Sequence, residues 1–158
     1  MLITLSPAKT LDFETESNLD SFTQPRMLEQ SKVLNKRLRK LSKDDLQDLM
    51  SLSDDLTAVN HQRNRDWSPP FDLANAKQAI LAFRGAAFTG LDADSYSPED
   101  FETAQRSLRI LSGLYGVLRP LDLIHAYRLE MGTKIDNPGG KNLYEFWDTS
   151  ITSLINAD

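Results

Sequence analysis

Between Leu111 and Asp122 the chain reads LSGLYGVLRPLD. Gly113 and Gly116 interrupt an otherwise apolar run, and each costs about 1 kcal/mol against alanine in a helix interior. Such a pair points to a turn or to a close approach of backbone. Two helical pieces joined by a glycine turn can offer free N–H groups to a phosphate, with a helix N-terminus behind them. Arg106, Arg109 and Arg119 lie close by in the chain to supply mobile charge. The pattern is similar to a helix–hairpin–helix, except that Leu114 and Tyr115 separate glycines which that motif spaces one residue apart. The same residues also fit a C-capped helix followed by packing that demands small side chains.

Charge is unevenly distributed. The chain carries a net −5 at neutral pH. From Thr103 to Ile135, however, the cations Arg106, Arg109, Arg119, Arg128 and Lys134 face only Asp122 and Glu130. A locally basic surface can bind phosphate on an acidic protein, because potential is set locally. Arginines decorating separate faces would give the same count.

Other candidates are weaker. Lys9, in the SPAKT segment after a strand, occupies a position where loops of α/β sheets bind ligands, and it equally suits a solvated surface loop. The G-x-x-x-x-G-K spacing of a P-loop is absent. There are no cysteines and only two histidines, His61 and His125, without a second histidine at ligand spacing, so no metal or other cofactor is expected. Asp54-Asp55 and Glu99-Asp100 fall at helix starts, where capping accounts for them. Ser6 and Ser112 lack a G-x-S-x-G context. Tyr115, Tyr127 and Tyr144 could stack on bases or pack in a core. No catalytic constellation emerges, so an enzyme is not the leading expectation.

The elements that must position these residues can be outlined. Leu2, Ile3 and Leu5 predict a buried strand, and Asp12–Phe22 a loop. Pro25 and the spacing of Leu34, Leu38 and Leu41 predict a helix with Lys36, Arg37, Arg39 and Lys40 between the leucines. Ser42 and Ser53 predict helix caps, the first burying Leu46, Leu49 and Met50, the second followed by Leu56 and Val59. Ser68-Pro69-Pro70 breaks the pattern. Residues 75–83 read as helix or buried strand, and Gly90 as a turn. Ser97-Pro98-Glu99-Asp100 is a strong helix start, leading a stripe of Phe101, Ala104, Leu108 and Leu111. Tyr127–Met131 alternates like a strand, Asn137–Gly140 reads as a turn, and one last helix carries Leu143, Phe146 or Trp147, Ile151 and Leu154. The sum is a mixed α/β fold, helix-dominant, within residues 1–158 as one domain or part of a longer one. No apolar run approaches the ~20 residues of a membrane span, and no signal peptide is evident, so the expected location is cytoplasmic.

The runs MLITLSPAKTLDF, AILAFRGAAFTGL, LRILSGLYGVLRPLDLIHAYRLEMGTK and KNLYEFWDTSIT closely resemble the YaaA family of bacterial peroxide-stress proteins along the whole chain. The resemblance implies a distinctive α/β fold with a helix–hairpin–helix element and a positive cleft that binds duplex or branched DNA. It also implies a role in limiting free intracellular iron and oxidative DNA damage. By similarity, DNA contact falls on Lys9, Gly113, Gly116, Arg119 and Arg128; Arg106, Arg109 and Lys134 join them through the basic block. Family members continue beyond residue 158, so the sheet and cleft are expected to be incomplete here, leaving apolar surface open to self-association. Ala86-Ala87 follow Arg84-Gly85 where relatives tend to carry an acid. The expected function is backbone- and shape-selective DNA binding. Its rivals are an enzyme acting on a nucleotide or nucleobase through Lys9, Arg128 and Glu130, and a partner-binding module.

Overall fold

The computed structural model describes residues 1–158 and contains eight α-helices and seven short strands. The chain forms two compact units. Unit 1 is Met1–Arg26, Pro70–Leu111 and Val117–Ala126; unit 2 is Met27–Pro69, Ser112–Gly116 and Tyr127–Asp158. No helix is long and apolar enough to cross a membrane.

Unit 1 is a set of small sheets and short helices. Strand β1 (Ile3–Leu5) pairs in parallel with β5 (Leu108–Ser112), and β5 also neighbours β6 (Gly116–Leu118). β2 (Thr10–Leu11) pairs antiparallel with β4 (Phe83–Arg84), and β3 (Lys77–Gln78) with β7 (Leu123–Ile124). One helical turn, α4 (Ala79–Ala82), separates β3 from β4, so the ambiguous 75–83 stretch uses both states. Helix α5 (Ala86–Leu91) replaces the turn expected at Gly90. Helix α6 (Pro98–Ser107) opens on a complete capping box, with Ser97 and Asp100 satisfying each other's backbone N–H. Ile80, Leu81, Ala93, Phe101, Ala104, Leu108 and Leu121 form one core cluster.

Two expectations for this unit are corrected. β1 is a strand but not a buried one: it lies at a sheet edge, and Ile3 is 44% exposed. The helix from Pro98 ends at Ser107, because Leu108–Ser112 are all needed by the ladder with β1 and β6. The glycine-rich segment is therefore strand–turn–strand rather than two helices and a hairpin.

Unit 2 is helical. Helix α1 (Leu28–Arg39) buries Leu34 and Leu38 as its spacing predicts. Ser42 and Ser53 cap α2 (Lys43–Met50) and α3 (Asp54–Asp66) by accepting from Asp45 N and Leu56 N. The buried face of α3 is polar: Thr57, Asn60 and Asn64 are inside, while Leu56 and Val59 are exposed. Thr57 Oγ1 donates to Ser53 O and Asn60 Nδ2 to Leu56 O, both at 2.8 Å, while the buried Asn64 Nδ2 has no partner. Tyr127–Met131 keeps its alternation, with Tyr127 and Leu129 buried, but forms no strand ladder. Asn137–Gly140 is the expected turn. The last helix is two, α7 (Leu143–Trp147) and α8 (Ser150–Asn156), broken at Asp148, whose φ is 43°.

The segment Ser112–Gly116 is packed on all sides within unit 2. Ser112, Leu114 and Tyr115 are essentially inaccessible. Ser112 Oγ accepts from Tyr115 N at 3.0 Å and lies 2.6 Å from the Tyr127 hydroxyl. Trp67 Nε1 donates to Tyr115 Oη at 2.8 Å, and Trp147 Nε1 to Gly113 O at 2.9 Å. A Cβ on Gly113 would collide with the Leu129 carbonyl. On Gly116 it would stand 2.7 Å from Met27 Sδ and 3.0 Å from Trp147, at a φ of +72° that other residues rarely adopt.

Alanine at Gly113 or Gly116 is therefore expected to destabilise the chain by about 1–3 kcal/mol. Gly113 should be the worse, since backbone cannot yield. Alanine at Gly90, where nothing lies within 4 Å, should be neutral or stabilise by about 0.5–1 kcal/mol. Urea midpoints measure all three, and a harmless Gly113→Ala would contradict the packing.

Candidate nucleic-acid interface

The surface of unit 2 gathers cations from two segments. The apolar face of α1 turns its other face to solvent, and Lys32, Lys36, Arg39 and the following Lys40 are exposed there. The extended segment after Tyr127 buries Tyr127 and Leu129, so the residues between and after them, Arg128 and Glu130, point the other way. Three concavities follow these cations. The first, ≈ 470 Å³, is lined by Leu49, Met50, Ser51, Arg128, Glu130 and Gly132–Lys134. The second, ≈ 280 Å³, shares Leu49 and Lys134 with it and adds Arg37, Lys40 and Asp136. The third, ≈ 510 Å³, shares Lys40 with the second and adds Lys32, Lys36 and Arg39. Shared lining residues make the three one continuous path.

Beside this path, burial lowers the proton affinity of the Arg63 guanidinium, and the neighbouring positive charge of Arg128 acts the same way. The acids on the path are Asp45, Glu130 and Asp136; Asp45 Oδ2 accepts from Ser42 Oγ at 2.8 Å, and Asp136 Oδ2 and its backbone O accept from Arg37 at 3.1 and 3.0 Å. Glu130 lies 3.9 Å from Arg128, in a loose ion pair that an incoming phosphate can replace.

Of the residues singled out in the sequence, Arg128, Glu130 and Lys134 share one concavity. The other DNA-contact candidates do not join them. Gly113 and Gly116 are buried in unit 2, so their role there is packing. Arg109 is 5% exposed and donates through Nη1 to Gln105 O and Leu108 O. Arg119 is held by the fully buried Asp122, with Nε and Nη2 at 3.2 and 2.9 Å from Oδ1, and it also donates to Gln24 O. Arg106 is exposed near the end of α6, within reach of Thr103, and Lys9 is exposed in the loop after β1. Tyr115 and Tyr127 are buried; Tyr144 is 67% exposed. The cations of α1 were visible in the sequence as a helix face. The feature that marks them, the wall opposite at Trp67–Pro69, is set by tertiary structure.

Unit 1 holds a second polar cluster that sequence spacing does not reveal. Asp12 Oδ1 accepts from Glu14 N and Thr15 N, and its Oδ2 from Arg84, which also pairs with Asp94 at 3.1 Å. Lys77 Nζ donates to Asp12 O at 3.0 Å and Thr15 O at 2.8 Å. The Thr15 amide and hydroxyl, then Lys77 and Arg84, hold the Asp12 carboxyl far below the usual carboxylate range. Burial weakens the proton affinity of Lys77. With both carbonyls on its ammonium, Lys77 ties down the Asp12–Thr15 loop rather than presenting a reactive amine. No group of three or more His, Cys, Asp or Glu side chains converges as a metal site anywhere in the chain.

Fold and surface together define a mixed α/β protein with small sheets and a cationic, concave face on its helical unit. Residues 1–158 match the family described as peroxide stress protein YaaA, and the chain belongs to that family. It is 54% identical over 158 residues to a UPF0246 protein of Cupriavidus metallidurans, covering all of this chain and 60% of the relative. UPF0246 proteins of Colwellia psychrerythraea and Burkholderia cenocepacia are 54% and 53% identical over 156 residues, covering 61% and 60% of their lengths. The chain thus spans about 60% of the curated relatives it matches.

The Asp12 cluster yields a pH prediction. The folded state binds a proton on Asp12 less readily than the unfolded state. Its stabilisation is therefore whole above about pH 5 and is lost as pH falls through the ordinary carboxylate range. Asp12→Asn should lower stability at neutral pH and flatten that acid limb in urea titrations between about pH 3 and 6. An unchanged acid limb would contradict the assignment.

Proposed function

We propose that this chain is the DNA-contacting part of a cytoplasmic peroxide-stress protein, holding phosphate backbone and duplex shape rather than base sequence. The observation that carries the reading is the continuous path of concavities along α1 and Arg128–Lys134, with Lys32, Lys36, Arg39, Lys40, Lys134 and Arg128 on it. Lysines and arginines on a curved surface position a protein on phosphates and carry no base information. A net charge of −5 does not oppose this, since counterion release depends on the local cations that meet phosphates. Any effect on free iron is indirect in this reading, exerted through the DNA-bound state.

A second reading, an enzyme acting on a nucleotide, draws support from Glu130 sharing a concavity with Arg128. The two separate on one substitution. Loss of the Glu130 charge should leave a DNA binder as tight or tighter, whereas an enzyme using it as acid or base should lose about 10²-fold or more in turnover.

Fluorescence anisotropy of labelled duplex and four-way-junction DNA tests the reading. If four to six phosphates are held, affinity should fall by roughly two to three decades between 50 and 200 mM salt. Arg128→Ala or Lys134→Ala should reduce the salt slope by about one unit each, and Glu130→Gln should not weaken binding. Absence of binding at low salt, or a slope untouched by both variants, would overturn it.

A further inference from the structure

We propose that the third concavity of unit 2 is an oligophosphate site, taking two or three linked phosphate groups. The proposal stands on this concavity alone and does not require that the neighbouring surface hold DNA.

Four cations line it, Lys32, Lys36, Arg39 and Lys40, and no carboxylate does. Lys36 lies four residues from Lys32, three from Arg39 and four from the C-cap Lys40, the separations at which side chains on a helix are neighbours and like charges repel. Lys32 alone has an acidic partner, the exposed Glu29. Lys36, Arg39 and Lys40 have no hydrogen-bonded or ionic partner in the structure, in contrast to Arg37 on the same helix, which is committed to Asp136. Attraction to the negative end of the α1 dipole accounts for the cations in its last turn but not for Lys32, two turns earlier. Glu29 and the helix dipole offset part of this repulsion, and an anion of several charges would offset the rest.

The surroundings turn this charge into a site. Trp67, Ser68 and Pro69 stand across from the helix and bound an open groove of ≈ 510 Å³, large enough for linked phosphates. The wall is fixed from behind: Trp67 is buried with its N–H on Tyr115, and Asn35 Nδ2 donates to Asn64 O at 3.0 Å. Ser68 is exposed and adds a free hydroxyl at the rim. Lysine and arginine donors around a fixed wall suit phosphate oxygens, which accept from several directions. The phosphates can come from a free anion, such as a nucleoside triphosphate, or from a nucleic-acid backbone.

Isothermal titration of this chain with sodium tripolyphosphate tests the site. Saturable 1:1 binding is expected, weakened at least tenfold by the double variant Lys36→Glu/Arg39→Glu and changed less than twofold by Lys141→Glu, which lies outside the three concavities. Both variants lie on exposed positions, and circular dichroism checks that they fold. The same titration with bound fluorescent duplex DNA separates the sources. Displacement assigns the site to backbone phosphates, and binding without displacement assigns it to a free anion. Either result supports the site. Absence of saturable binding, or binding indifferent to Lys36→Glu/Arg39→Glu, overturns it, and it does so whatever the anisotropy experiment gives for DNA.

Discussion

Unit 2 is organised around five residues that come from the middle of the chain. Ser112–Gly116 belongs to the helical unit, where it is enclosed by Trp67, Tyr127, Leu129, Met27 and Trp147. The enclosure depends on two missing side chains. At Gly113 the Leu129 backbone occupies the place of a Cβ, and at Gly116 the Met27 thioether and the Trp147 ring do so. Interiors packed at crystal density have no slack for an added methyl group. Sequence alone left two roles for the glycines, a turn open to a phosphate or packing that demands small side chains; the structure closes protein around them.

This constraint reaches the surface through the residues it fixes. Met27 is the N-cap of α1, so its packing against Gly116 sets where the helix carrying Lys32, Lys36 and Arg39 begins. Leu129, seated on Gly113, and Tyr127, bonded to Ser112, are the buried members of the alternating segment. Their burial turns Arg128 and Glu130 outward. Burial also raises the Tyr127 phenol far above its usual proton affinity, keeping it a neutral hydrogen-bonding group. The glycine segment thus acts on both cationic elements by holding them, without offering a group of its own to a ligand.

What the sequence disclosed was local. Ser42, Ser53 and Ser97 marked three helix starts because a cap and the amide it satisfies lie three residues apart. Leu34 and Leu38 marked the buried face of α1 because residues four apart lie on one side of a helix. What it hid was non-local. Phe101, Ala104, Leu108 and Leu111 keep helical spacing, yet the last two belong to a strand whose partner is more than a hundred residues earlier in the chain. Arg109 and Arg119 looked like free charges until β5 buried one and Asp122 engaged the other. The α1 cations were plain in the sequence, whereas the wall at Trp67–Pro69 that lines a concavity with them was not. The family, carried by long runs of specific residues, was legible along the whole chain.

The central claim is that phosphate meets this protein on the cationic path of unit 2 and not at the glycine turn. Lysine acetylation footprinting with and without duplex DNA reads this residue by residue, by mass spectrometry of the modified chain. Lys36, Lys40 and Lys134 should lose reactivity when DNA is added, while Lys141, outside the three concavities, should not. Protection confined to Lys9, or equal at every lysine, would contradict the account.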